Sequence, residues 1–315
     1  MGEDTRKEIV HFTSTDGHTQ IRGVIWWPED PKAARGVVQL VHGMAEHIMR
    51  YEPFAKFLNE HGFIACGHDH LGHGESVEDR RMWGHIPIRH GRDILVGDVG
   101  RMRSLMVERV GCDLPYFVFG HSMGSFVVRA YISECGQGLA GAVACGTGHI
   151  PPATSAVGNT LAHVIGKVRG ETHVSSLLGN LSIGAYSKAI ENARTPLDWL
   201  SRNPQNVDTY IADEQCGFAF TAGGNAALMA LTQEVCSRSS YARIPNDLPL
   251  LFIAGAGDPV GAMGKGVRIA SKMAQESGST DVTCTIYEDM RHEILNETNS
   301  ARVMEDVVSW MEERI

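Results

Sequence analysis

The chain is predicted to fold as an α/β protein: a mostly parallel, eight-stranded sheet with helices on both faces and a helical insertion after the sixth strand. Three observations carry this expectation. Short apolar runs alternate with helix-patterned stretches over residues 36–145 and again over 250–312, the pattern of a parallel sheet covered on both sides. Between these regions, residues 149–246 hold helix-patterned segments without a clear strand. One apolar run, residues 116–119, leads straight into Gly120-His121-Ser122-Met123-Gly124 and then a buried-type helix. A strand, tight turn and helix in that order hold a serine hydroxyl exposed above a sheet.

The elements follow from the amino-terminal side. Residues 9–15 and 20–27 are β-rich and flank Asp16-Gly17, a hairpin signal. Residues 36–41 form an apolar run broken only by Gln39, as in a strand buried on both faces. Residues 51–61 place Phe54, Phe57 and Leu58 at helical spacing and end at Gly62, a residue suited to a helix stop. Residues 63–66 form the next strand, and residues 94–110 a long helix stopped by Gly111. Then come the strand 116–119, the helix after Ser122 and the strand 140–145. The insertion shows helical stretches at 161–168, around Trp199 and at 228–235. The alternation resumes with a strand at 250–254, a helix at 267–275, a strand at 282–287 and a helix at 301–312. The core is therefore drawn as residues 1–147 and 247–315, and residues 148–246 as a helical lid.

At 315 residues with 43% hydrophobic side chains, the chain can bury a sizeable core in one domain. A formal net charge of −9 and the lack of any basic run argue against nucleic acid or an anionic membrane surface as partner. Residues 1–7 are polar and no apolar run follows, so no secretory signal is expected. No stretch reaches the roughly 20 apolar residues of a spanning helix. The seven cysteines are odd in number and never spaced C-x-x-C. Reduced thiols and a cytoplasmic location are expected.

A serine hydroxyl needs a base in hydrogen-bond reach, and the base needs an orienting acid. In a sheet of this type the chain order is serine, acid, histidine. Four histidines follow Ser122: His149, His163, His173 and His292. The first three lie in or at the insertion. His292 alone sits on a short loop after a late core strand, where an open α/β sheet places its site. Of the acids after the insertion, Asp247 and Asp281 precede their strands. Asp258 follows the run ending Gly255-Ala256-Gly257, at the carboxyl end of its strand. It is preferred to Asp289, which lies three residues from His292 on one loop. The developing oxyanion needs preorganised N–H donors. The amides of Met123, just after the serine, and of Met44, in His42-Gly43-Met44-Ala45-Glu46-His47, are the expected pair. The histidine crowd at 68, 70 and 73 sits in a glycine-rich loop with no second cluster to complete a metal site. No metal and no cofactor are expected.

On these residues the chain resembles the α/β-hydrolase fold. Within it, the chain is similar to the monoacylglycerol lipase and lysophospholipase-like group, serine aminopeptidase S33-type hydrolases. The matching motifs are His42 through His47, the loop Asp69-His70-Leu71-Gly72-His73-Gly74-Glu75-Ser76, Gly120 through Gly124, Gly257-Asp258-Pro259-Val260-Gly261 and Met290-Arg291-His292-Glu293. The resemblance runs from about residue 20 to the carboxyl terminus. It implies hydrolysis of monoacylglycerol or lysophospholipid-like esters through an acyl-enzyme: Ser122 as nucleophile, His292 as base and then acid, Asp258 as its orienting acid. The implied partner is a small acyl ester, with no nucleic acid, no stable membrane insertion and at most transient lipid contact through the lid. Oligomeric state is left open. Glu46 and Arg50 match positions near the alcohol end of the substrate in monoacylglycerol lipases; a surface ion pair one helical turn apart explains them equally well. Few charges fall between residues 151 and 165, which suits apolar acyl chains.

Two other readings share the scaffold. A prolyl aminopeptidase has the same fold and triad, but usually a G-G-S-W-G elbow in place of Gly-His-Ser-Met-Gly. A non-catalytic binding protein typically loses a triad member, and none is lost here. An epoxide or haloalkane hydrolase would need aspartate at position 122.

Overall fold

The computed structural model describes residues 6–181 and 183–315; most of the polar amino-terminal stretch noted above lies outside them. The chain opens with an antiparallel hairpin, β1 (Lys7–Thr13) and β2 (Gln20–Trp26). Its turn is closed by the Asp16 carboxylate, which accepts from the amides of His18 and Thr19, each at 2.9 Å. There follow β3 (Gly36–Val41), α1 (Glu52–Glu60), β4 (Phe63–His68), α2 (Gly91–Val110), β5 (Tyr116–His121), α3 (Met123–Cys135) and β6 (Gly141–Cys145). The insertion carries α4 (Pro152–Arg169), α5 (Ser176–Leu181), α6 (Ile183–Ser187), α7 (Pro204–Ala212), α8 (Ala222–Val235) and α9 (Arg238–Tyr241). The chain ends with β7 (Leu250–Gly255), α10 (Lys265–Glu276), β8 (Val282–Tyr287) and α11 (Ser300–Glu312).

The eight strands lie in the order β1-β2-β4-β3-β5-β6-β7-β8. Only β2 runs antiparallel to its neighbours; from β4 to β8 the pairing is parallel. Strands β3 to β7 are buried along their whole length, which is why they read as mostly apolar runs rather than alternating ones. Alternate residues still serve opposite faces. On β5, Phe117 and Phe119 pack with α1 and α11 through Phe54, Leu58, Val307 and Trp310. Tyr116 and Val118 face α2, α3, α8 and α10.

The insertion is not uniform. Ala227, Leu231 and Val235 of α8 belong to the main core with side chains of α2 and α3, whereas its Ala226 packs with Ala162 of α4 and Leu178 of α5 in a separate small cluster. The expected helix around Trp199 is absent: residues 196–199 form a turn. The Asp198 carboxylate accepts from the Arg194 amide and the Thr195 hydroxyl, each at 2.6 Å. Such local side-chain acceptors compete with helical hydrogen bonding. Among the described residues no helix is long and apolar enough to cross a membrane.

Candidate active site

Ser122 stands at the junction of β5 and α3 with φ 53° and ψ −121°, a strained conformation for a residue with a Cβ. The flanking glycines permit it. A Cβ on Gly120 would strike the Gly124 carbonyl, and one on Gly124 would strike the carbonyls of Val41 and His42. The serine amide donates to Cys145 O on β6 at 2.9 Å, and its carbonyl accepts from the Ser125 hydroxyl at 2.6 Å. Backbone and neighbours thus fix the elbow, leaving the half-buried side chain facing a cavity of about 390 Å³.

His292, on the loop after β8, lines the same cavity. Its Nδ1 lies 2.9 Å from Asp258 Oδ2, and both side chains are buried. Asp258, after β7, is held by the Val260 amide at 2.8 Å. With Nδ1 committed to the carboxylate, Nε2 is left to act as an acceptor. Among the described residues no hydrogen bond joins it to the Ser122 hydroxyl. In unliganded sites such a bond is often long and tightens only with substrate. Asp289, the other acid weighed, is exposed on the surface.

Met44 and Met123 also line the cavity. Neither amide has a hydrogen-bond partner among the described residues, because Met123 opens α3 and Met44 lies on the irregular loop after β3. The neighbouring Gly43 amide is already taken by Glu46 Oε1 at 2.5 Å. Two free N–H groups therefore remain beside the serine.

Glu46 and Arg50 are joined at 2.7 Å, but the pair is buried rather than on the surface. Arg50 also grips both oxygens of Glu293, at 2.7 and 2.8 Å, and reaches Asn206 Oδ1 at 3.3 Å. Tyr51 donates to Glu46 Oε1 at 2.8 Å. Burial alone would raise the Glu46 carboxyl. The hydrogen bond from His121 and the charge of Arg50 outweigh it and hold Glu46 well below the usual range. Burial likewise works against ionised Glu293, and the charge of Arg50 prevails, so its carboxyl is lowered. Glu46 and Glu293 border the cavity, whereas Arg50 lies behind them.

Sequence reasoning missed three members of this surround. His121 is the variable residue of the serine pentapeptide, and Glu293 follows the histidine directly; both were in view with no partner assigned. Trp199 stacks at a tilt on His292, ring centres 5.1 Å apart, and nothing in its local sequence signals that contact. The histidines at 42, 68, 70 and 73 cluster in the buried interior, with ring centres of His42 and His70 4.3 Å apart.

Known proteins resemble this chain in sequence and in fold. A family model described as serine aminopeptidase, S33, matches residues 32–299. The chain is 30% identical over 315 residues to a monoacylglycerol lipase of Mycolicibacterium smegmatis, covering 99% of each chain. It is 28% identical over 313 residues to the human monoglyceride lipase, covering 98% of this chain and 91% of that one. A crystal structure of a thermostable carboxyl esterase from Bacillus coagulans in complex with glycerol superposes with a TM-score of 0.89 at 30% identity, over 98% of both chains. The chain belongs to the serine aminopeptidase S33 family, on the α/β-hydrolase fold.

Proposed function

We propose that this protein is a carboxylic ester hydrolase acting on monoacylglycerol or lysophospholipid-like acyl esters through an acyl-enzyme. One observation carries the reading: a strained serine, a histidine held by a buried aspartate, and two amides without partners among the described residues meet at one largely apolar cavity. Ser122 attacks the ester carbonyl as His292 Nε2 takes its proton. Asp258 holds the imidazole and balances the imidazolium that forms. The amides of Met44 and Met123 receive the oxyanion. His292 then protonates the leaving alcohol, and a water, activated by the same nitrogen, releases the acid.

Phe126, Leu161, Leu178, Leu228 and Met229 line the cavity and suit an acyl chain. Residues 148–246 serve as the lid, with α8 as the part anchored to the core. The alcohol end of the substrate lies toward Glu46, and Arg50 acts through Glu46 and Glu293. Transient contact of the lid with lipid fits the exposed Val157, Val164 and Leu181. The seven free cysteines fit a reducing cytoplasm.

An aminopeptidase needs a carboxylate free to hold the substrate ammonium. The two carboxylates bordering the cavity are both engaged by Arg50, which disfavours that reading. Ser122→Ala is expected to abolish hydrolysis of p-nitrophenyl acyl esters with an unchanged melting curve. Residual activity within tenfold of the native protein would sink the assignment. A panel of monoacylglycerols, lysophospholipids, short esters and prolyl amides separates the substrate classes, and equal rates on prolyl amides would overturn the ester reading.

A further inference from the structure

A second cluster of ligating groups sits where the insertion meets the loop after β3. His47 belongs to that loop; Asp213 directly follows α7 as its carboxyl-terminal cap, and Cys216 comes three residues later. One nitrogen, one carboxylate oxygen and the sulfur lie within 4.8 Å of one another. The nearest pair, His47 Nε2 and Asp213 Oδ2, is 2.9 Å apart. Tetrahedral zinc, with bonds of about 2.0–2.3 Å, holds its ligand atoms roughly 3.3–3.8 Å apart, so little movement separates the present spacing from a coordination shell. The backbone here is already fastened: Ala45 O accepts from the Gly217 amide at 2.9 Å and from the Tyr210 hydroxyl at 2.7 Å. None of the three side chains borders the Ser122 cavity.

We propose that His47, Asp213 and Cys216 form a binding site for a thiophilic divalent cation of the zinc class, with solvent water as the fourth ligand. Asp213 is one-third exposed, which leaves that fourth position open. On binding, the Cys216 thiol releases its proton to solvent and the thiolate takes the metal. His47 gives the Nε2 lone pair with its proton on Nδ1, and its hydrogen bond to Asp213 is exchanged for two metal bonds. A carboxylate and a thiolate together balance the doubly charged ion. Arg50, the nearby cation, is already neutralised by Glu46 and Glu293. The mixture of thiolate, imidazole and carboxylate selects zinc, cobalt or cadmium over magnesium or calcium. Occupied, the site clamps the insertion to the loop that carries Met44. It escapes a search for ligand spacing because its two segments are 166 positions apart.

Titration of the metal-stripped full chain with Co²⁺ tests the proposal. One equivalent should raise a thiolate-to-cobalt charge-transfer band in the near ultraviolet, displaced by Zn²⁺ and untouched by Mg²⁺. Cys216→Ser should remove the band, Asp213→Asn should weaken binding at least tenfold, and Ser122→Ala should leave both band and affinity intact. The proposal is overturned if no band forms in excess Co²⁺, or if Cys216→Ser retains it, since another thiol would then be the ligand. Should Cys216→Ser not fold, His47→Gln decides: an unchanged Co²⁺ affinity in that variant overturns the site equally.

Discussion

His121 Nε2 lies 3.2 Å from the backbone carbonyl of His292. The other ring nitrogen faces Glu46 Oε1 at 3.5 Å. A neutral imidazole donates through one nitrogen only, so two acceptors call for the imidazolium. Burial opposes that charge, but the hydrogen bond and charge of Glu46 prevail and raise His121 above the usual histidine range. The ring thereby couples the loop after β3, through Glu46 and the Gly43 amide, to the loop that carries His292.

His121→Leu should therefore cost about 1.5–3 kcal/mol of stability at pH 6, the range of a hydrogen bond to a charged group. The sign of its pH dependence follows from the raised pKa. The folded protein holds the proton more tightly than the unfolded chain, so the contribution is full below the unfolded value of about 6.5 and fades as pH rises through the folded one. Urea unfolding of both proteins from pH 6 to 9 checks this. The gap between them should narrow toward alkaline pH, and a constant gap would show that His121 titrates alike in the folded and unfolded chain.

Arg129 on α3 is buried, and among the described residues no carboxylate pairs with it. Its guanidinium donates to Thr147 Oγ1 at 3.1 Å and Gly148 O at 2.9 Å, where the insertion begins. It also reaches Val235 O at 2.7 Å and the Tyr241 hydroxyl at 2.5 Å, near where the insertion ends. One side chain thus fastens both feet of the insertion to the helix that follows Ser122. Arg129→Met keeps the apolar stem but strands two carbonyls, each unpaired buried acceptor costing about 1–3 kcal/mol. A loss of roughly 2–5 kcal/mol in chemical denaturation is expected from this mechanism. Arg129→Lys should rescue little, because a single ammonium cannot span four acceptors at the two feet. Full recovery with lysine would reduce the role of Arg129 to its charge.

Much of this was legible because the informative residues carry local constraints. The core strands announced themselves as mostly apolar runs, since a parallel sheet buried on both faces admits a polar side chain such as Gln39 only where it is hydrogen-bonded, here to Val99 O and the Tyr116 hydroxyl. Ser122 was legible from its glycines, which backbone contact requires. His292 was legible from chain order and from its place after a core strand. What stayed hidden depends on pairs far apart in the chain. Glu46 and Arg50 could be paired by helical spacing, but Glu293, which takes the other side of the guanidinium, is 243 positions from Arg50. The segment around Trp199 looked helical because its apolar residues are dense. It is held instead by Glu297, which accepts from the Ser201 hydroxyl at 2.8 Å, the amides of Arg202 and Asn203 at 3.0 and 3.2 Å, and the Arg291 amide at 2.8 Å. That carboxylate presses the turn carrying Trp199 onto His292, an arrangement visible only once both loops are in space.

The buried histidines set the acid limit of the fold. His42 Nε2 accepts from the His70 amide at 2.9 Å while Nδ1 faces Gly43 O at 2.8 Å, so this ring must be neutral to make both bonds. Burial, and then the charges His70 and His73 would carry, push His42 well below the usual histidine range. Burial also pushes His68 well down, His70 to about 4 and His73 to about 3. In the unfolded chain these groups titrate near 6.5. Below that value the unfolded state binds protons that the folded state refuses, so stability is full above about pH 6.5 and falls as pH drops toward 4 and 3. His73 lies among aromatic rings, its centre 5.2 Å from Phe218 and 5.3 Å from Phe220. His73→Phe suits that environment and removes one of the protons taken up on unfolding. Between pH 6 and 4.5 its stability should decline less steeply than the native protein's, by about 1.4 kcal/mol per pH unit. Urea midpoints measured across that interval give the slopes directly, and parallel curves would mean that His73 titrates alike in the folded and unfolded chain.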